Sequence, residues 1–253
     1  MKKLFLLIGI ALSGLSLSAQ KQAIKLIYIG DSITAGALLD DPATQAPPVK
    51  ASHYLQQQPG IDSVRFVNQG HSGFTTVDFL PGGATFATVE KSAADLNAEP
   101  GVLIFSIMLG TNDSAMKGTN GAPVAPQDYI QNLKEIIDRL LKDFPGSYVI
   151  INLPLWYSPN TCNGAEYLQE GLDRLQSYFR PIRTLVNNYI QHRVFLGDTQ
   201  AFGYFKTNYQ TKLRPEEGHQ GTFYLHPNKD GAADLGVFWG KAIYQIISSG
   251  KLK

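Results

Sequence analysis

The 253-residue chain has 22 basic and 21 acidic residues, is 43% hydrophobic and 11% aromatic, and contains one cysteine. This balance is typical of a globular chain rather than a disordered one, and the lack of a basic excess argues against a nucleic-acid partner, whose phosphates favour a basic surface. Because an internal disulfide needs two cysteines, we expect Cys162 to be a free loop thiol without a functional role.

The N-terminal residues 1–19 have the order of a secretory signal peptide. Two lysines precede an apolar run, and small residues ending at Ala19 follow it. The run is shorter than the ~20 apolar residues that span a bilayer. We therefore expect cleavage after Ala19, which leaves residues 20–253 as a single domain that is secreted or periplasmic and has no stable membrane anchor. Losing the two lysines leaves 20 basic against 21 acidic residues, a net charge of −1.

Five short runs rich in Ile, Val, Phe and Tyr predict β-strands. They are Ile24–Ile29, Val64–Val67, Val102–Met108, Tyr148–Leu153 and Arg193–Leu196. The runs are apolar throughout and alternate with amphipathic patterns, which is typical of an α/β fold with a parallel sheet covered on both faces.

The amphipathic patterns predict helices over residues 129–144 and 168–189, the second of them kinked by Pro181. A last helix is expected from a cap at Asn228 to about Ile247. No internal repeat or linker interrupts the sequence, which indicates one domain.

Two connections are predicted to be long loops, over residues 38–50 and 199–226. Loops of this length in a compact domain belong either to a binding site or to surface elaboration. The pattern alone leaves both interpretations open.

Polar side chains and glycines follow the predicted strands at the points where the strands end. Ligands bind beyond the carboxyl ends of parallel strands, so these positions are candidates for a site. They are Gly30, Asp31 and Ser32 after the first strand, Asn68, Gln69 and Gly70 after the second, Gly110, Thr111, Asn112 and Asp113 after the third, and Pro154, Trp156 and Tyr157 after the fourth. His226, in the run LHPN, precedes the last helix.

Taken one at a time, these residues have purely structural explanations. Ser32 suits a helix cap, Gly70 a tight turn, and Asn112 with Asp113 an Asx turn. A lone His226 would be an ordinary hydrogen-bonded loop residue. Acyl transfer needs a serine, an imidazole that takes its proton and donors aimed at the developing oxyanion, and the joint placement favours that chemistry.

Four motif blocks along the chain, GDSITAG, NQGHSG, GTND and HPN, resemble in order those of the GDSL, or SGNH, hydrolases. The resemblance implies a three-layer α/β/α sandwich with a flavodoxin-like, five-stranded parallel sheet. It also implies Ser32 as nucleophile and His226 as base. The implied oxyanion hole consists of the backbone N–H groups of Ser32 and Gly70 and the side-chain amide of Asn112.

One position departs from the family pattern. The triad aspartate normally stands three residues before the histidine, where this chain has Phe223. Asp198, Glu216 and Glu217 are candidates for a substitute carboxylate. A backbone carbonyl could orient the imidazole instead, or the site could have kept binding and lost catalysis.

Other chemistries lack their motifs in this sequence. It contains no G-x-S-x-G, no H-E-x-x-H, no C-x-x-C and no G-x-x-x-x-G-K-[ST]. Glu216, Glu217 and His219 could in principle hold a metal ion, but a solvated loop is the favoured interpretation. We expect neither a metal nor a cofactor.

The leading hypothesis is an exported serine esterase that removes small acyl groups, most plausibly acetyl, from carbohydrate, its substrate being a small-molecule or glycan ester. Trp156 and Tyr157 are candidates to stack on sugar rings, although packing of a long loop explains them equally well. A lipid esterase or lysophospholipase is a second hypothesis. A third is a non-catalytic glycan-binding protein on an esterase fold, which the departure at Phe223 keeps open.

Overall fold

The computed structural model describes residues 21–189 and 193–252. The predicted signal peptide lies outside these residues, so the division into residues 1–19 and 20–253 stays a prediction. No helix within the described residues is long and apolar enough to cross a membrane.

The strands are labelled in chain order. They are β1 Gln22–Gly30, β2 Ile61–Gly70, β3 Val102–Met108, β4 Tyr148–Ile151, β5 Cys162–Asn163, β6 Ala165–Glu166, β7 Val194–Leu196, β8 Leu213–Gly218 and β9 Gly221–Pro227.

The α-helices are labelled in the same way. They are α1 Ser32–Ala35, α2 Pro42–Gln45, α3 Pro47–Gln56, α4 Ala84–Asn97, α5 Pro126–Asp143, α6 Leu168–Ser177, α7 Phe179–Asn187, α8 Ala201–Lys212 and α9 Lys229–Ser248.

Five strands form the central sheet in the order β2-β1-β3-β4-β7, and every neighbouring pair is parallel. Helices flank this sheet, so the predicted three-layer α/β fold is confirmed. All five predicted strands are present. Because the strands are parallel, their carboxyl ends meet at one edge of the sheet, where β1 ends at Gly30 and β2 at Gly70.

Both predicted long loops contain regular structure. Residues 38–50 include α2 and the first turn of α3, and residues 199–226 include α8 and nearly all of the antiparallel hairpin of β8 and β9. Pro47 and Pro48 argue against a helix in the sequence. In the structure they occupy the first turn of α3, where the missing N–H has no partner within the helix in any case. The apolar pattern also did not predict α4.

The helix predicted over residues 168–189 is divided in two. The break between α6 and α7 falls at Tyr178, and Pro181 occupies the first turn of α7, where proline is tolerated. The last helix begins as predicted, because the side chain of Asn228 accepts a hydrogen bond from the N–H of Gly231. Cys162 is a free cysteine in β5 and is buried rather than exposed on a loop.

Candidate active site

Ser32 lies where β1 turns sharply into α1. The carboxylate of Asp31 caps this short helix by accepting a 2.9 Å hydrogen bond from the N–H of Ile33. At Gly30 an added Cβ would lie 2.0 Å from Thr34 Oγ1 and 2.7 Å from the carbonyl oxygen of Met108, so only glycine fits. This tight strand-to-helix turn places the Ser32 hydroxyl at the carboxyl edge of the sheet.

His226 reaches the same edge from β9. Its Nε2 lies 2.8 Å from Ser32 Oγ, and its Nδ1 lies 2.9 Å from Oε1 of Glu216. The same carboxylate oxygen accepts the backbone N–H of His226 at 3.2 Å. Ser32, His226 and Glu216 therefore form one continuous chain of hydrogen bonds.

The proton positions follow from the chemistry of the three groups. A carboxylate has no proton to donate, so Nδ1 of His226 carries the proton and donates it to Glu216. The lone pair then lies on Nε2, which accepts the Ser32 hydroxyl proton. This is the tautomer that a general base next to a serine nucleophile requires.

Phe223, on β9, stands where the family normally has the triad aspartate. The carboxylate comes instead from Glu216 on the neighbouring strand β8. In the β8–β9 hairpin Glu216 pairs directly with Phe223, and the register shifts between Leu213 and Pro215. Across this pairing, Glu216 Oε1 contacts both the ring and the backbone N–H of His226. Phe223 is fully buried against the hairpin.

A cavity of about 470 Å³ lies above these residues and is lined by Ser32, Glu216 and His226. The polar residues Ser72, Thr119, Thr161 and Asn163 also line it, together with the apolar residues Leu38, Tyr167, Phe223 and Leu225. A larger groove of about 940 Å³ lies between α5 and α7, but neither Ser32 nor His226 lines it. The chemistry therefore identifies the smaller cavity as the candidate site.

Asn112 borders the cavity with its side-chain amide held in one orientation. Its Nδ2 donates to the carbonyl oxygen of Phe74 at 2.8 Å, and its Oδ1 accepts the hydroxyl of Tyr167 at 2.7 Å. An amide nitrogen carries two hydrogens, so the second N–H of Asn112 is left to donate into the cavity.

Two backbone N–H groups at the cavity are also free to donate. Among the described residues, the N–H groups of Ser32 and Gly73 make no hydrogen bond, and both residues line the cavity. Gly73 has a positive φ of 81°, and an added Cβ there would meet nothing within 4 Å. The space around the Gly73 backbone is therefore open, and Gly73 lines the same cavity as Ser32.

The structure does not support Gly70 as an oxyanion donor. Its N–H donates to Oδ1 of Asn68 at 2.9 Å, and Gly70 does not line the cavity. An added Cβ at Gly70 would lie 2.2 Å from the backbone nitrogen of Ala35. Gly70 is needed for this close approach between β2 and α1, and it is Gly73 that lines the cavity with Ser32.

Two further carboxyl groups are buried near the site. Burial raises the pKa of Asp31, whose second oxygen has no hydrogen-bond partner among the described residues. Burial also raises the pKa of Asp113 to about 7, although Thr76 donates its N–H and its hydroxyl to this carboxylate. Neither residue lines the cavity, and both accept hydrogen bonds from neighbouring residues instead.

Comparison with known proteins places this geometry in a family. The model of the GDSL-like lipase/acylhydrolase family matches residues 28–233, which include Ser32, Asn112, Glu216 and His226. The chain belongs to this family. As a GDSL-like acylhydrolase it is a carboxylic-ester hydrolase. No curated protein sequence matches it.

Several solved structures share the fold of this GDSL-like acylhydrolase. An aryl esterase from M. smegmatis is similar with a TM-score of 0.60 and 16% identity, over 87% of this chain and 98% of the esterase. A carbohydrate acetylesterase from Sinorhizobium meliloti has a TM-score of 0.58 and 16% identity, over 88% and 99% of the two chains. A catalytic mutant of an acetylxylan esterase from Geobacillus stearothermophilus has a TM-score of 0.57 and 21% identity, over 90% and 95%.

Trp156 and Tyr157 are not surface platforms for a sugar. Trp156 is buried and its ring lies 5.3 Å from that of Tyr209, while the hydroxyl of Tyr157 shares a 2.9 Å hydrogen bond with Ser114. Neither residue lines the cavity. Both belong to the core beneath the GDSL-like site, so their assignment as substrate-binding residues was wrong.

The other candidate carboxylates have different roles. Both oxygens of buried Asp198 accept backbone N–H groups at the start of α8, from Gln200 and Ala201. Glu217 is exposed, and its neighbour Glu216 is engaged with His226. Within the described residues, no three His, Cys, Asp or Glu side chains could together hold a metal ion.

Sequence reasoning missed Tyr167 and Gly73. Tyr167 fixes the amide of Asn112, but nothing in the local sequence marks it, because it comes from the turn ahead of α6, 55 residues further along the chain. Gly73 stands in the same motif block as Gly70, and only the free N–H and the cavity distinguish the two.

Proposed function

We propose that this protein is an exported serine esterase that removes small acyl groups, acetyl in particular, from carbohydrate. The observation that carries the catalytic part is the hydrogen-bond chain from Ser32 Oγ through the His226 imidazole to Glu216, with distances of 2.8 and 2.9 Å. In this proposal Glu216 is the carboxylate that the sequence left unassigned. The non-catalytic alternative loses its main support, because it depended on the missing acid.

In the first half of the reaction, Ser32 Oγ attacks the carbonyl carbon of the ester while its proton passes to Nε2 of His226. Glu216 stabilises the imidazolium that forms. The negative charge on the carbonyl oxygen is stabilised by the N–H groups of Ser32, Gly73 and the Asn112 side chain. The bond to the leaving alcohol then breaks, and His226 returns the proton to that alcohol.

The second half repeats these steps with water. His226 removes a proton from the water, whose oxygen attacks the acyl carbon on Ser32. The carboxylic acid leaves when the bond to Ser32 Oγ breaks, and the proton on Nε2 restores the Ser32 hydroxyl. Every group returns to its starting state, so the cycle consumes only ester and water.

Two observations support a small acyl group on a polar alcohol. The cavity of about 470 Å³ is lined by polar residues that include Ser72 and Asn163, whose exposed side chains can hydrogen-bond to sugar hydroxyls. Proteins with this fold include a carbohydrate acetylesterase and an acetylxylan esterase. A lipid esterase needs a long groove for the acyl chain, whereas here the apolar side chains of Leu38, Tyr167 and Phe223 line a cavity of about 470 Å³ together with polar residues. Export rests on the signal-peptide pattern of residues 1–19.

The test compares hydrolysis of 4-nitrophenyl acetate by the purified protein and by its Ser32→Ala variant. We expect turnover by the wild type and only the buffer rate for the variant, because the attacking oxygen is gone. Equal activity of the two proteins would exclude Ser32 as the nucleophile. A wild type that also hydrolyses the 4-nitrophenyl ester of a long fatty acid faster than the acetate would contradict the small-acyl part of the proposal.

A further inference from the structure

Leu38 has an unusual backbone conformation at the mouth of the cavity. Its φ is +64°, in the left-handed region that leucine rarely adopts. The only other non-glycine residue with a positive φ among the described residues is Leu168, at the start of α6, which does not line the cavity although its neighbour Tyr167 does. Such a conformation is costly for a leucine and persists when the surroundings fix it.

Arg214 contacts the backbone at this position. Its Nη1 donates a 2.6 Å hydrogen bond to the carbonyl oxygen of Leu38. Arg214 lies on β8, two residues before Glu216, so one strand carries both the carboxylate that contacts His226 and the guanidinium that holds Leu38. The position of Leu38 is thereby tied to the catalytic hairpin.

The side chain of Leu38 is also unusually exposed. At 46% it is the only large hydrophobic side chain classed as exposed within the described residues, although it lines the cavity with Ser32. Ser32 itself is 8% exposed, so the nucleophile lies deep and Leu38 lies at the mouth. An apolar side chain held in this way towards solvent, beside a nucleophile, is suited to contact a bound substrate.

We propose that Leu38 is a specificity-determining residue that contacts the apolar face of the alcohol part of the ester, such as the C–H face of a sugar ring. This inference rests on the proposed function, because a small acyl group fits deep beside Ser32 and leaves the larger alcohol at the mouth. The alcohol receives the proton from His226 and departs outwards past Leu38. Its apolar contact there excludes water from one side of the leaving group.

The experiment uses acetates of two alcohols, cyclohexyl acetate and methyl acetate, with the full-length protein. Leu38→Asn keeps a similar size, tolerates a positive φ and removes the apolar surface. We expect the ratio of kcat/KM for cyclohexyl acetate over methyl acetate to fall about fivefold, less than the loss for a methylene in a closed pocket because the contact is half open to solvent. The ratio for methyl butyrate over methyl acetate should not change.

Two variants make the result specific. Leu38→Met keeps an apolar side chain of similar reach and should retain the wild-type ratio within twofold. Leu168→Asn makes the same substitution at the other positive-φ leucine and should leave the ratio unchanged. The melting temperature of Leu38→Asn should rise by about 2 °C, because asparagine relieves the backbone strain.

A cyclohexyl-to-methyl ratio in Leu38→Asn equal to that of the wild type would overturn the proposal, as would a change confined to the butyrate ratio. Both outcomes presuppose that the wild type hydrolyses acetates. If it hydrolysed none of these esters, the proposed function would have failed instead, so the two failures are distinguishable.

Discussion

The carboxylate of Glu216 can be tested by replacing it with glutamine, which has almost the same shape. In most triads an amide at this position can donate to the histidine and impose the wrong tautomer. Here Oε1 of Glu216 accepts both the ring Nδ1–H and the backbone N–H of His226, at 2.9 and 3.2 Å. Because the backbone N–H can only donate, the glutamine must keep its carbonyl oxygen at this place, and the tautomer of His226 is preserved.

Glu216→Gln therefore removes only the negative charge that stabilises the imidazolium of His226. A charge-assisted hydrogen bond is roughly twice as strong as a neutral one, so we expect kcat to fall about 10²- to 10³-fold, or about 3 to 4 kcal/mol. This is less than the ~10⁴-fold loss for an amide that imposes the wrong tautomer. Glu216→Leu removes the oxygen that accepts both hydrogen bonds from His226, so its kcat should fall by that larger factor.

The assay is hydrolysis of 4-nitrophenyl acetate under saturating substrate, with melting temperatures measured for each variant. Glu217→Gln is the matched control, since Glu217 is the exposed neighbour on the same strand, and its kcat should stay within twofold of the wild type. A Glu216→Gln variant as active as the wild type would refute the catalytic role of the charge. Equal losses in Glu216→Gln and Glu216→Leu would refute the reasoning about the tautomer.

Two further predictions follow from the groups around the triad. Asn112→Ala should lower kcat about 10²- to 10³-fold with little change in KM, as expected for an oxyanion donor; a change mainly in KM would contradict this role. Burial raises the pKa of Asp113 to about 7, far above the ~3.9 of an unfolded chain, so folding binds a proton between these pH values. The contribution of Asp113 to the free energy of unfolding should therefore fall by about 1.4 kcal/mol per pH unit as the pH rises from about 4 to about 7. Asp113→Asn cannot ionise and should be stabilised relative to wild type at pH 8 but not at pH 4; urea denaturation that gives the same difference at both pH values would disprove the assignment.

The sequence alone was enough to predict the strands that are buried on both faces, because their apolar runs depend only on neighbouring residues. Strands buried on both faces read as continuous apolar runs, so β1 and β3 were predicted from composition alone. The end of each strand in a parallel sheet lies at a common edge. For that reason Ser32 and Asn112 could be assigned to the site before any contact was known, and the structure brings both to one cavity.

Tertiary structure decided the partners that come from distant segments. Glu216 reaches His226 because β8 pairs with β9. The register of this pairing, including its shift between Leu213 and Pro215, depends on packing against the rest of the fold and could not be predicted from the local sequence. Trp156 and Tyr157 follow a strand at the active edge, yet packing against Tyr209 and Ser114 buries them. Sequence places residues along a strand, whereas burial and cross-strand register are set by elements far away in the chain.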